Sequence, residues 1–189
     1  MPCMPFGSLW LPVLVSAALV WIATAIAWMA IKHHKSDFSK LPNEDGVAEA
    51  LRKFSIPPGQ YVMPYSADMK DMKDPAMLKR YEAGPVALIN VQPNGMPGMG
   101  KNLIQHFLYC FLVSFVTGYV ARHTLNFGAA KFDVFHVTGT VAIASYTLAL
   151  IPESIWMWRK WSMTLKSICD SIVYGLITGA VFAWLWPHG

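Results

Sequence analysis

Three ionisable side chains lie inside long apolar stretches of a charge-poor chain: His106, His136 and Asp170. A fourth, Glu153, follows Pro152 at the end of such a stretch. Ionisable groups in hydrocarbon are costly and tend to mark function. His106, Glu153 and Asp170 fall near one end of their stretches and are expected to form one intramembrane polar cluster. Proton or cation handling is the chemistry that cluster would support. Asp170 is a candidate hydrogen-bond partner of His106, with Lys166 one turn earlier able to pair with it. The rival reading places Asp170 near a helix start, where the dipole favours an acid. No catalytic residue is expected, because the chain has no HExxH, P-loop, GxSxG or CxxC pattern.

Metal chemistry has weaker signals. His123 and His136 share a depth and two such histidines can ligate haem, but His123 falls at the membrane edge. Met63, Met69, Met72, Met77, Met96 and Met99 offer thioethers of the kind that suit Cu(I). Their spacing is irregular and no cysteine accompanies them, so packing is the simpler role. The expectation is no metal and no cofactor, with a membrane metal-binding protein or enzyme kept as an alternative. The run Lys32-His33-His34-Lys35 reads as a topological stop beside anionic lipid.

The elements that must position these groups follow from composition. The 189 residues are 54% hydrophobic and 14% charged, which excludes an ordinary soluble domain and intrinsic disorder. Residues 1–31 carry no charge, and residues 9–31 form the first apolar span. Residues 102–121, 134–152 and 167–186 form three more, each near the ~20 residues that cross a bilayer as a helix. The fold class expected is an all-α membrane protein, a four-transmembrane-helix bundle with a small cytoplasmic α/β loop element. Its regions are 1–31, the loop 32–101, and 102–189. Helical spacing aligns His106, Cys110, Ser114 and Thr117 on span two. It aligns His136, Thr140, Ala144 and Thr147 on span three, and Asp170, Tyr174 and Thr178 beside Gly175-x-x-x-Gly179 on span four. Small residues and hydroxyls suit helix contacts in lipid.

Thirteen Lys and Arg flank one side of these spans and two, Arg122 and Lys131, the other. The positive-inside bias therefore places the loop in the cytoplasm and both termini outside. Trp156–Trp161 (WMWRKW) and Trp28 suit the inner interface, and Trp10, Trp184 and Trp186 the outer one. Ten basic against eight acidic loop residues leave no basic excess for nucleic acid. The loop itself is too long for a plain connector. Val47, Leu51 and Phe54 predict a short helix, capped by Asn43 or Asp45. Residues 61–63 and 86–91 predict strands, and Asp74-Pro75 opens a second helix.

Two stretches carry a resemblance. One comprises Leu41-Pro42-Asn43-Glu44-Asp45, Pro57-Pro58-Gly59-Gln60-Tyr61 and Met63-Pro64. The other runs from Leu150-Ile151-Pro152-Glu153-Ser154-Ile155-Trp156 through Gly175 to Trp184-Leu185-Trp186-Pro187. Together they resemble an uncharacterised group of small bacterial inner-membrane proteins with four transmembrane helices. The resemblance implies a bacterial cytoplasmic membrane and supplies no activity or site residue. The leading functional expectation is an accessory or structural protein that docks a partner through the loop, at Tyr61, Met63, Met72 and Tyr81. The alternatives are a small transporter or proton-linked permease component, and a membrane metal-binding protein or enzyme. The expected associations are the lipid bilayer, a protein partner at the loop and a homodimer.

Overall fold

The computed structural model describes residues 5–31, 33–68, 70–96 and 98–188. In chain order the elements are α1 (Trp10–Ala25), α2 (Glu44–Lys53), β1 (Gly59–Met63), α3 (Pro75–Ala83) and β2 (Ala87–Val91). Then come α4 (Met99–Thr124), α5 (Lys131–Thr147), α6 (Leu150–Trp156) and α7 (Trp161–Leu185). The chain divides into two compact units, Met1–Ser39 with Gly98–Gly189, and Lys40–Pro97.

The first unit holds four helical stretches long and apolar enough to cross a bilayer: Gly7–Ala30, Met99–Thr124, Lys131–Trp156 and Trp161–Leu185. The protein is a multi-pass membrane protein with an all-α bundle. Its faces are arranged for lipid. On α4 the exposed side chains Ile104, Leu108 and Leu112 recur at each turn, while Cys110, Ser114, Thr117 and Gly118 are buried. Several of the buried hydroxyls are satisfied locally, while those of Tyr146, Thr147 and Tyr174 have no described hydrogen-bond partner. Thr117 donates to the Val113 carbonyl at 2.9 Å and Thr138 to that of Val134 at 2.6 Å, while Ser16 reaches across to Ser114 at 3.0 Å. Lipid is as apolar as leucine, so close packing and such bonds hold the helices together.

The closest helix approach is between α5 and α7. A Cβ placed on Gly175 would lie 3.0 Å from the Gly139 carbonyl oxygen, and one on Gly179 would lie 3.0 Å from that of Phe135. The Gly175-x-x-x-Gly179 face thus works as its spacing predicts. The expected inner face of span three holds only in part. It fails in its first half, where His136 and Thr140 are exposed, whereas Ala144 is half-buried and Thr147 buried; Val134, Thr138, Gly139, Ala142 and Tyr146 complete the buried set. The seam is set by Gly139, where backbones can meet, and not by the row of polar residues.

Two spans also differ in extent. Span three is a broken helix: α5 ends at Thr147 and α6 begins at Leu150. Pro152 has no N–H for the Leu148 carbonyl and its ring crowds that position, which accounts for the break. The fourth helix starts at Trp161, nine residues before Asp170. Asp170 therefore lies about two and a half turns inside the helix, beyond the reach of the terminal dipole. At the opposite end of the bundle Trp186 is buried and donates its indole N–H to the Asn126 carbonyl at 3.0 Å. It belongs to the packing there, while Trp184 is exposed as a belt residue should be.

The second unit contains the expected helix–strand–helix–strand order. β1 and β2 pair antiparallel, with Tyr61 opposite Ile89. Asp74 caps α3 by accepting the Ala76 N–H at 3.0 Å, with Pro75 at the first helical position. Asn43 occupies the cap position of α2 in a left-handed conformation and makes no side-chain cap bond.

Candidate metal centre

The first apolar helix ends in a π-helical turn, Ile26–Ala30, closed by the Ile31 N–H on the Ile26 carbonyl at 3.1 Å. Such wide turns concentrate at functional positions. A tight 3-10 turn over His33–Ser36 follows. It brings two adjacent histidines onto one carboxylate of α7. His33 Nε2 lies 3.1 Å from Asp170 Oδ1, and His34 Nε2 lies 2.8 Å from Asp170 Oδ2. One ligand atom from each of the three residues lies within 4.8 Å of the other two. No other His, Cys, Asp and Glu group among the described residues converges in this way.

The surroundings fix His34 tightly. Its Nδ1 lies 2.5 Å from Asp37 Oδ2, and the indole of Trp28 stacks on its ring at 4.0 Å and 8°. Asp37 is buried and is held in turn by Lys166, whose ammonium donates to Asp37 Oδ1 at 2.7 Å. Lys166 also donates to the His33 carbonyl at 2.7 Å and to Ser36 Oγ at 2.8 Å. Burial by itself would raise the Asp37 carboxyl. Hydrogen bonds from Lys166 and His34, with the charges behind them, outweigh burial and hold it below its ordinary value. His33 has no comparable support, and its Nδ1 is buried without a described partner.

Two imidazoles and a carboxylate are the donor set used for zinc in catalytic sites and for non-haem iron. The Asp37–His34 contact is the carboxylate–histidine support that metal ligands usually carry. The charge count does not choose between a metal and a proton. Two carboxylates, Asp37 and Asp170, face one ammonium, Lys166, so a further positive charge is required, from a bound cation or a protonated imidazole.

The sequence-predicted cluster is distributed differently. His106 Nε2 contacts Thr24 Oγ1 at 3.0 Å, and Glu153 pairs with Arg159 at 3.0 Å. The histidine partner of Asp170 is the His33–His34 pair and not His106, because α1 carries that pair to the same depth on the α7 side. Lys166 likewise bonds to Asp37 and not to Asp170. The rings of His123 and His136 each pack on an aromatic of their own helix, Tyr119 at 4.8 Å and Phe132 at 4.4 Å. Of the methionines, Met69 lies outside the described residues, Met63, Met72, Met96 and Met99 are exposed, and Met77 is half-buried. In the loop unit, Tyr61 donates to the Pro57 carbonyl at 2.9 Å, Met63 and Met72 are exposed, and Tyr81 is half-buried.

The chain shows no match to a known family model, to a curated protein or to a solved structure. The resemblance to small inner-membrane proteins therefore stands only as far as four long apolar helices. The reading of this site rests on its own geometry. Sequence reasoning took the adjacent histidines for a topological stop. The overlooked signal was their position, just past the end of one apolar helix and at the depth of an aspartate inside another.

Proposed function

We propose that this is a membrane metal-binding protein that holds one divalent transition-metal cation on His33, His34 and Asp170. The observation that carries the reading is the convergence of three ligand atoms from two distant chain segments within 4.8 Å. Two neutral imidazoles with one carboxylate select borderline ions such as Zn²⁺, Fe²⁺ or Co²⁺ over Mg²⁺ or Ca²⁺. Three protein ligands leave a coordination position for water, a substrate or a transferred ligand. Asp37 orients His34, and Lys166 limits the negative charge of the site. Metal handling at the end of a bundle suits either delivery of the ion or chemistry on it.

The test is metal content and affinity of the full chain purified in detergent without a histidine tag. One Zn²⁺ or Co²⁺ per chain is expected, lost in His34→Ala and in Asp170→Asn. Retention of no metal by the folded wild type, or equal binding by both variants, overturns the reading. A second reading, a partner docked on the Lys40–Pro97 unit, is supported by its exposed Phe54, Tyr65 and Leu88. Co-purification of one partner, abolished by Met72→Glu, tests it.

A further inference from the structure

A second site lies beside the first and uses none of its ligands. A cavity of about 480 Å³ opens between α1 with its π-helical turn and the start of α4. Trp21, Thr24 and Trp28 line one wall at helical spacing, and Asn102, Leu103 and His106 line the other. Its volume falls in the range of small-molecule sites. Both indoles are fixed before any ligand arrives. Trp21 donates its N–H to the Leu103 carbonyl at 3.1 Å and meets Phe107 edge to face, while Trp28 is stacked on His34.

The polar groups of the cavity have a defined sense. Thr24 has one hydroxyl proton, and it goes to the Trp21 carbonyl at 2.7 Å. With that proton engaged, the threonine oxygen accepts from His106 Nε2 at 3.0 Å in the tautomer that carries its proton there, and Cys110 Sγ lies 3.8 Å from the same nitrogen. The neutral ring then presents Nδ1 as an acceptor, and no described residue donates to it. One turn earlier the Asn102 amide is exposed, and no described residue hydrogen-bonds it. A lipid acyl chain would fill the slot and leave both groups unsatisfied. A planar aromatic ring bearing a hydroxyl fits the indoles, gives a proton to His106 Nδ1 and can exchange a hydrogen bond with Asn102.

We propose that this cavity binds a membrane-soluble hydroxyaromatic molecule of the phenol or hydroquinone class. The site does not depend on the metal reading, since none of its lining residues is a metal ligand. Trimethylhydroquinone, under argon, is titrated into the detergent-solubilised full chain after treatment with EDTA, and tryptophan fluorescence is followed. Its dimethyl ether, which keeps the ring and loses both donors, is the comparison ligand. Saturable quenching is expected, with the ether binding about tenfold more weakly, as loss of one buried hydrogen bond implies. His106→Leu should remove that tenfold preference, and Trp21→Phe with Trp28→Phe should remove the saturable signal. Binding should be the same before and after EDTA treatment, which separates this site from the metal centre. Equal affinity of the wild type for hydroquinone and ether, or no saturable quenching, overturns the proposal and leaves a lipid-filled groove. The ligand comparison needs no variant, so a failure of His106→Leu to fold does not shield the proposal.

Discussion

At the scale of the residue, the outcome at Asp37 and Lys166 depends on burial. Asp37 is buried and its partner Lys166 only partly exposed. Removing the ammonium in Lys166→Met leaves the buried Asp37 carboxylate with His34 as its remaining side-chain partner and should cost up to about 3 kcal/mol of stability. The exposed pair Lys53–Glu49, at 3.5 Å, should show less than about 1 kcal/mol in Lys53→Met. Thermal unfolding in one detergent compares the two. The lowered Asp37 value also has a direction in pH. A carboxyl held below its unfolded value contributes stability that is present above about pH 4 and is lost as the pH falls through the lowered value. In metal-free protein, Asp37→Asn should flatten the acid limb of the melting-temperature profile. In metal-loaded protein the same variant should weaken affinity by about 10- to 100-fold, read by chelator competition.

At the scale of the element, glycine placement decides how helices meet. Gly179→Ala pushes a methyl group against the backbone of Phe135 and should destabilise by about 1–3 kcal/mol. Gly100→Ala, whose Cβ would meet nothing within 4 Å, should be close to neutral. Equal effects in a melting comparison would remove the α5–α7 seam as the tight contact. The seam also explains a misjudged face. Polar spacing on span three picked out His136 and Thr140, while the contact formed where Gly139 allows backbones to approach. In lipid an exposed polar residue near a helix end costs little, so periodicity of polar side chains is a poor guide to the inside. The break before Pro152 was not anticipated either, since residues 134–152 were read as one span.

At the scale of the whole molecule, two compact units divide the work. The bundle buries small residues and hydroxyls together with Leu9, Val13, Val20 and Phe182, and it also turns large apolar side chains outward to lipid. We propose that the basic flanks keep the Lys40–Pro97 unit on the cytoplasmic side. With Cys3 and Cys169 replaced by Ala, Ser55→Cys should then be modified by a membrane-impermeant maleimide only after the membrane of intact cells is opened. Modification in sealed cells would invert the orientation while leaving the bundle intact.

The sequence by itself determined the class of the protein. Long uncharged stretches can satisfy their backbones in lipid only as helices, and Asp74-Pro75 or Gly175-x-x-x-Gly179 carry their meaning locally. The partners of Asp170 were decided only by tertiary structure. His33 and Asp170 are separated by more than half the chain. Whether Asp170 meets His106 or the histidine pair depends on how α1 and α7 are rotated, and that rotation follows from close packing at glycines and from a wide turn before His33. No periodicity in the sequence records it, because the membrane-spanning helices carry apolar residues on both their lipid and their inner faces.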